Sequence, residues 1–191
     1  MGHVERRKKE KENIRKGILD AALKIAMSDG WGAVTIRKIA DVIEYTPPIV
    51  YEYFKNKDDL LDELALMGHR MLYQEYENVK QKETDAKKIL MQLSINHWDF
   101  AFEHKELYQL MFSFNRVLPS EEAHAEILQI KNLFLELTND KALAGEVMFS
   151  WMCLQQGFIY NMKQKGLPPE LSSISPKDLY TRIMRRFILS I

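Results

Sequence analysis

The chain is expected to fold as an all-α protein, with an N-terminal three-helix helix-turn-helix domain and a larger helical domain behind it. Three observations predict this. Apolar residues recur at three- and four-residue spacing through most of the 191 residues. No stretch alternates apolar and polar residues with the period of a strand, and neither an internal repeat nor a low-complexity tract is present. The segment from Thr35 to Lys57, TIRKIADVIEYTPPIVYEYFKNK, reads as two short helices joined by a tight turn.

Residues 5–16 (ERRKKEKENIRK) are charged throughout and are expected to fray into a flexible arm, with the basic residues at 6–9 free to follow a nucleic-acid groove or only to solubilise the chain. A helix is expected from Ile14, where Ile14, Ile18, Ala21, Ala22, Ile25 and Ala26 form an apolar stripe. It should stop at Asp29-Gly30, with glycine at the C-terminal cap. Thr35 supplies a hydroxyl cap for a helix over 36–43, with Ile36, Ile39, Ala40 and Ile43 on one face. Ala40 is small where a crossing helix must come close. Thr46 is expected to cap the next helix, Pro47 suits its first turn, and Val50 and Phe54 form an i, i+4 apolar pair.

That leaves Pro47, Pro48, Ile49, Tyr51, Glu52 and Tyr53 facing outward, an odd surface to show to water. It suits a polyanion better. Tyrosine hydroxyls donate to phosphate, and Lys57 stands at the start of a further helix whose free N–H groups favour an anion.

These residues resemble the DNA-binding module of the TetR (tetracycline repressor) family of bacterial transcription regulators. The shared pattern is Thr35 opening the second helix, Ile39-Ala40 in its middle, Tyr51-Glu52-Tyr53-Phe54 closing the third, then Lys55-Asn56, Lys57 and the acidic start Asp58-Asp59-Leu60-Leu61. The resemblance covers about the first third of the chain. Two positions depart from it. Ile43-Glu44 stands where members carry Ala-Gly, so either Glu44 takes a small strain or the turn differs. Pro47-Pro48 replaces the Lys or Arg and Gly that members often carry early in the third helix. By matching position, the resemblance implies phosphate contacts from Thr35, Tyr51, Tyr53 and Lys57. Pro47, Pro48, Ile49 and Glu52 fall where base edges would be met, Arg37 could serve either role, and Thr46 is a further candidate DNA contact. Proline and isoleucine cannot donate to a base but can lie against thymine methyls.

Net charge is zero, yet its distribution is uneven. Residues 1–57 hold 12 Lys+Arg against 8 Asp+Glu, and residues 58–191 hold 15 against 19. A basic head on an acidic body suits a protein that offers one end to phosphates. The N-terminus lacks the apolar core of a signal peptide, no apolar run reaches a membrane span, and Cys153 is the only cysteine. A cytoplasmic protein without membrane association is therefore expected.

Asp58-Asp59 open a helix that should run to about Val79. The polar link QKETDAKK follows, with Thr84 as a cap. Five more helices are expected: one carrying Ile89, Leu93, Trp98 and Phe102, then about 107–117, 121–137, 141–165 and 176–190. Here the chain also resembles a TetR subgroup, through His104-Lys105-Glu106-Leu107-Tyr108-Gln109-Leu110-Met111-Phe112 and through Trp151 followed by Gln156-Gly157, where the subgroup has His-Gly.

The resemblance implies domains at 1–57 (DNA-binding) and 58–191 (ligand-binding and dimerising), a homodimer joined through 141–165 and 176–190, and double-stranded operator DNA as partner. It further implies repression relieved by a small-molecule effector. Trp98, Phe102, Met111, Phe112, Met148, Trp151, Met152 and Gln155 are the candidate effector contacts, although most apolar side chains at helical spacing are simply core. The other reading is a helical sensor or adaptor that binds a protein partner. Glu121-x-x-His124 is the only Glu-x-x-His spacing, where a carboxylate-bridged di-metal bundle needs two. HExxH, G-x-S-x-G, P-loop and GxGxxG signatures are missing too, so neither an enzyme nor a cofactor is expected.

Overall fold

The computed structural model describes residues 2–112 and 121–191, with the backbone alone over 121–126. Those residues form α-helices joined by turns and two short 3-10 segments, with no strand among them. In order the helices are α1 (His3–Asp29), α2 (Ile36–Val42), α3 (Pro47–Tyr53), α4 (Lys57–Lys80), α5 (Ala86–Glu103), α6 (Lys105–Met111), α7 (Glu121–Thr138), α8 (Lys141–Gln164) and α9 (Pro176–Leu189). The expected continuation of α6 to Val117, and the Glu121/His124 side chains, lie outside the described residues.

The chain divides into two compact units. One holds α1 to α3, α4 as far as Gly68, and α6. The other holds His69–His104 and the helices from α7 onward.

In the first unit the expected stripe of α1 is buried: Ile18, Ala22, Ile25 and Ala26 pack with Val34, Ile39, Ala40, Val50, Phe54, Leu60 and Leu64. Gly30, at φ +78, ends α1 as anticipated, and its N–H bonds the Ala26 carbonyl at 2.9 Å. Trp31 Nε1 donates to the Glu106 carbonyl at 3.0 Å and joins the α1–α2 link to α6. At Gly68 the backbone of α4 lies so close to α6 that a Cβ would strike Met111 Sδ and Leu107 Cδ2.

The start of α1 corrects the sequence reading. The charged segment is not a frayed arm; it is helical from His3. Its residues are good helix formers, and Glu5–Lys9, Lys8–Glu12 and Glu12–Lys16 are opposite charges four apart, each favouring the helix by about 0.3–0.5 kcal/mol. None of residues 2–13 is buried.

In the second unit α5, α7, α8 and α9 enclose Leu90, Trp98, Phe134, Trp151, Ile159, Tyr180 and Met184. The cap of α5 is Asp85 rather than Thr84: Asp85 Oδ1 accepts from Lys88 N at 2.9 Å. Asp140 and Ser175 cap α8 and α9.

Candidate nucleic-acid interface

The helix-turn-helix is built from local signals. Thr35 Oγ1 accepts from Lys38 N at 3.2 Å, so the predicted cap of α2 is present. Lys38 Nζ reaches back to Asp29 Oδ2 at 2.5 Å and ties α2 to the end of α1. This bond and the lysine's charge hold the Asp29 carboxyl below its usual pKa. Ala40, fully buried, bonds across the turn through its carbonyl to Tyr45 N at 3.0 Å. Glu44 takes φ +59, the left-handed conformation that family members meet with glycine, so of the two alternatives the strained residue is the one present.

Thr46 occupies the N-cap of α3, but its side chain makes no cap bond, contrary to expectation. The reason is the two prolines. A cap hydroxyl accepts from the second or third helical N–H. Pro48 has no N–H, and Ile49 N bonds the Thr46 carbonyl instead, at 3.0 Å. The Thr46 hydroxyl is thus left on an exposed residue at the tip of α3.

Val50 and Phe54 fix α3 to the core, both essentially without solvent exposure. Pro48, Tyr51 and Glu52 are exposed, with Tyr51 at 54% of its full surface, while Pro47, Ile49 and Tyr53 are half-buried. Burial raises the Tyr53 pKa, and the negative charges of Glu52, Tyr45 and Glu10 would raise it further. Its phenol therefore stays protonated and able to donate. Thr35 and Arg37 on α2 are exposed as well.

Lys57 opens α4, one residue earlier than predicted, and is half-buried, with Nζ donating to the Trp31 carbonyl at 3.2 Å. Two donors remain on an ammonium so anchored. Just before it, Asn56 Oδ1 accepts from Asp59 N at 2.8 Å and Asp59 Oδ2 accepts from Lys55 N at 2.9 Å. This reciprocal pair of bonds fixes the link between α3 and α4. Arg15 of α1 bonds Glu63 of α4 at 2.9 Å and lies over the Phe54 ring, 5.1 Å from its centre.

The candidate effector residues fall in different units. In the first, Met111 is buried against Gly68 and Phe112 is half-buried beside Tyr108, their ring centres 4.5 Å apart. In the second, Trp98 is buried among Phe102, Tyr180 and Phe158, with ring centres 4.3, 4.9 and 5.9 Å away. Phe102 keeps its other side to solvent, and Met148 and Met152 are half-buried. Trp151 and Gln155 belong to a buried polar network: Trp151 Nε1 donates to Ser94 Oγ, and Tyr180 OH meets both Gln155 Oε1 and the Ser94 carbonyl, all at 3.0 Å.

Sequence reasoning did not find Ser94, Tyr180, His97 or Lys163. Burial, followed by the charges of His69 and Lys163, lowers the His97 pKa to about 4. Lys163 Nζ sits 5.7 Å from the centre of the Phe102 ring. A lysine or serine within an apolar helical stripe was the available signal.

Helices α2 and α3, joined by the tight turn at Glu44, form a helix-turn-helix. Residues 18–64 match the family model of bacterial regulatory proteins, tetR family. Compared by sequence with curated proteins, the chain matches none. By fold it is similar to a protein of unknown function from Rhodococcus sp. RHA1, at 19% identity and TM-score 0.78, with 93% of this chain and 94% of that one covered. It is similar to a TetR family transcription regulator from Marinobacter aquaeolei VT8, at 14% identity and TM-score 0.67, covering 94% and 97%. A TetR protein of Acinetobacter baumannii AYE, solved in complex with minocycline, aligns at 16% identity and TM-score 0.67 over 91% and 93%. The segment 18–64 is thus of the tetR family type, and over the rest of the chain the likeness to these proteins is one of fold.

Proposed function

We propose that the protein is a sequence-specific DNA-binding repressor that works as a homodimer in the cytoplasm and leaves its operator when a small molecule binds the body. The observation that carries the reading is α3, held by Val50 and Phe54 with Thr46, Pro48, Tyr51 and Glu52 turned to solvent, inside the segment that matches the family model. In this reading residues 1–57 are the DNA-binding head and residues 58–191 the body. Thr35, Tyr51, Tyr53 and Lys57 take phosphates, Pro47, Pro48, Ile49 and Glu52 meet base edges, Arg37 reaches either, and Thr46 is a further DNA contact.

The proposed dimer uses α8 and α9. Leu143, Phe149, Tyr160 and Leu189 on these helices are between 44% and 67% exposed, large apolar side chains that a second copy would cover. One reading helix buries too little surface for tight specificity, so two half-sites about one helical turn apart follow from the dimer. An effector near Trp98, Phe102, Met148, Trp151, Met152 and Gln155 would act through α4, the helix that runs from Lys57 to Lys80 without a break. The structural neighbour in complex with minocycline supports a small molecule as that effector.

Selection of bound duplexes from a random DNA pool tests the reading. An inverted repeat should emerge, and its binding should weaken steeply as salt rises. Recovery of no enriched sequence would leave the protein-binding adaptor in its place. Operator affinity that stays constant with every small molecule that stabilises the protein would remove the release step.

A further inference from the structure

One side of α3 is free. Val50 is fully buried, and Pro48 and Glu52, each two residues from it and one turn apart, stand on the opposite side of the helix, both exposed. Tyr51 is exposed beside them, while Pro47, Ile49 and Tyr53, on the flanks, are half-buried. Glu52 is the only charged side chain of α3. Its helical neighbours three and four residues back are Ile49 and Pro48, which cannot pair with a carboxylate, so the charge does not brace its own helix. It stands at the crest of the surface that would go deepest into a groove.

The edges of the bases decide what such a group can meet. In the major groove guanine shows two acceptors, and thymine an acceptor and a methyl group; cytosine and adenine show an amino donor. Arginine or lysine reads guanine, and asparagine or glutamine reads adenine through a pair of bonds. None of these four residue types occurs on α3. Its one charged group is an acceptor only. A carboxylate carried between two phosphate chains gives up water among like charges, and that loss is offset only where a base donates to it. Guanine and thymine edges add to the repulsion. Adenine N6 donates, but acceptors flank it on both sides, its own N7 and O4 of the paired thymine. Cytosine N4 has an acceptor on one side only, O6 of the paired guanine. Cytosine is therefore the base that a carboxylate meets with the least repulsion.

We propose that Glu52 selects a cytosine in each half of the operator, accepting a hydrogen bond from its N4 amino group and disfavouring the other three bases. This deepens the DNA-binding reading above and rests on it. The selection works by exclusion as much as by attraction. Glu52 lowers affinity for duplexes in general and raises the contrast between one sequence and another.

The test selects duplexes from a random pool with the full parent chain, with Glu52→Gln and with Glu52→Ala, after thermal melting has shown the three to be equally folded. The parent should fix a C·G pair at one position of each half-site. Glutamine pairs with N6 and N7 of adenine, so Glu52→Gln should turn that pair into A·T and leave the other positions as they were. Glu52→Ala should accept any base there and bind a random duplex more tightly than the parent does. On defined operators, exchange of the C·G pair should weaken the parent about 5- to 140-fold for each half-site and leave Glu52→Ala unaffected. A parent motif with no fixed C·G pair, or variants that enrich the parent's motif at every position, overturns the proposal; Glu52 then only repels phosphate. Enrichment of no sequence by the parent would instead overturn the DNA-binding reading, so the two failures are told apart.

Discussion

The two units solve the packing problem differently. In the first, the residues buried among α1 to α4 are aliphatic or aromatic, and polar groups are used at the rim, in caps and turns. In the second, polar groups enter the core. Ser94 and Gln155, the buried polar residues among those described, both lie there, joined through Trp151 and Tyr180. A hydrocarbon core tolerates any arrangement that fills space, whereas a buried hydrogen-bonded network admits few. The head is therefore ordered by the filling of an apolar core, and the body by a core that also holds a hydrogen-bonded network. Four experiments break or sharpen that contrast.

The largest effect should come from Phe54→Ala, since Phe54 is almost wholly buried under Arg15 and anchors α3. A cavity of this kind costs about 3–5 kcal/mol. Urea unfolding should show the loss, and DNA binding should fall with it because α3 is no longer fixed. If the head keeps its stability, its core is not the source of its order.

Acid should act on the body. His97 titrates near 4 in the folded chain against an ordinary value of 6.5. Between those values the unfolded chain binds more protons, so the contribution is complete above pH 6.5 and is lost as pH falls toward 4. The shift corresponds to at most about 3 kcal/mol. Its neighbours push the same way: His69 is itself lowered by burial, and Lys163 is cationic. Melting temperature against pH should decline over this window and decline less in His97→Gln. Equal declines would remove His97 as the cause.

Tyr180→Phe removes the hydroxyl that Gln155 Oε1 and the Ser94 carbonyl share. An acceptor left without its donor in a core costs about 1–3 kcal/mol. Adding Gln155→Leu removes the stranded amide, so the double variant should lose less than the sum of the single ones. Additive losses would mean that the network has no collective role.

The same contrast explains what the chain's letters disclosed. Thr35, Gly30, Ala40 and the Val50–Phe54 pair act over a few residues, and the structure places them as their spacing implied. Thr46 failed as a cap because two prolines altered donors next to it, a second-order local effect. The charged start of α1 looked frayed because its charges were counted without their i, i+4 pairing. The Ser94–Trp151–Tyr180–Gln155 network joins positions 25 to 86 residues apart, and no local pattern encodes it. The helix-turn-helix was legible for the first reason, and the organisation of the body was not for the last.

The smallest effect compares one backbone feature across the two units. Glu44 in the head and Asn139 before α8 both hold left-handed φ, at +59 and +51. The conformation crowds a Cβ against the carbonyl at a cost of about 1–2 kcal/mol, which glycine avoids but partly returns through its freer unfolded chain. Asparagine tolerates the region better than glutamate, through its short side chain. Glu44→Gly should therefore stabilise by about 0.5–1 kcal/mol and Asn139→Gly by less, in chemical denaturation of the full chain. A Glu44→Gly variant that gains stability yet binds operator more weakly would mean that the strain at the turn sets the angle of α3. If the glycine variant is instead less stable, the Glu44 carboxylate makes a compensating contact and the turn is not strained on balance.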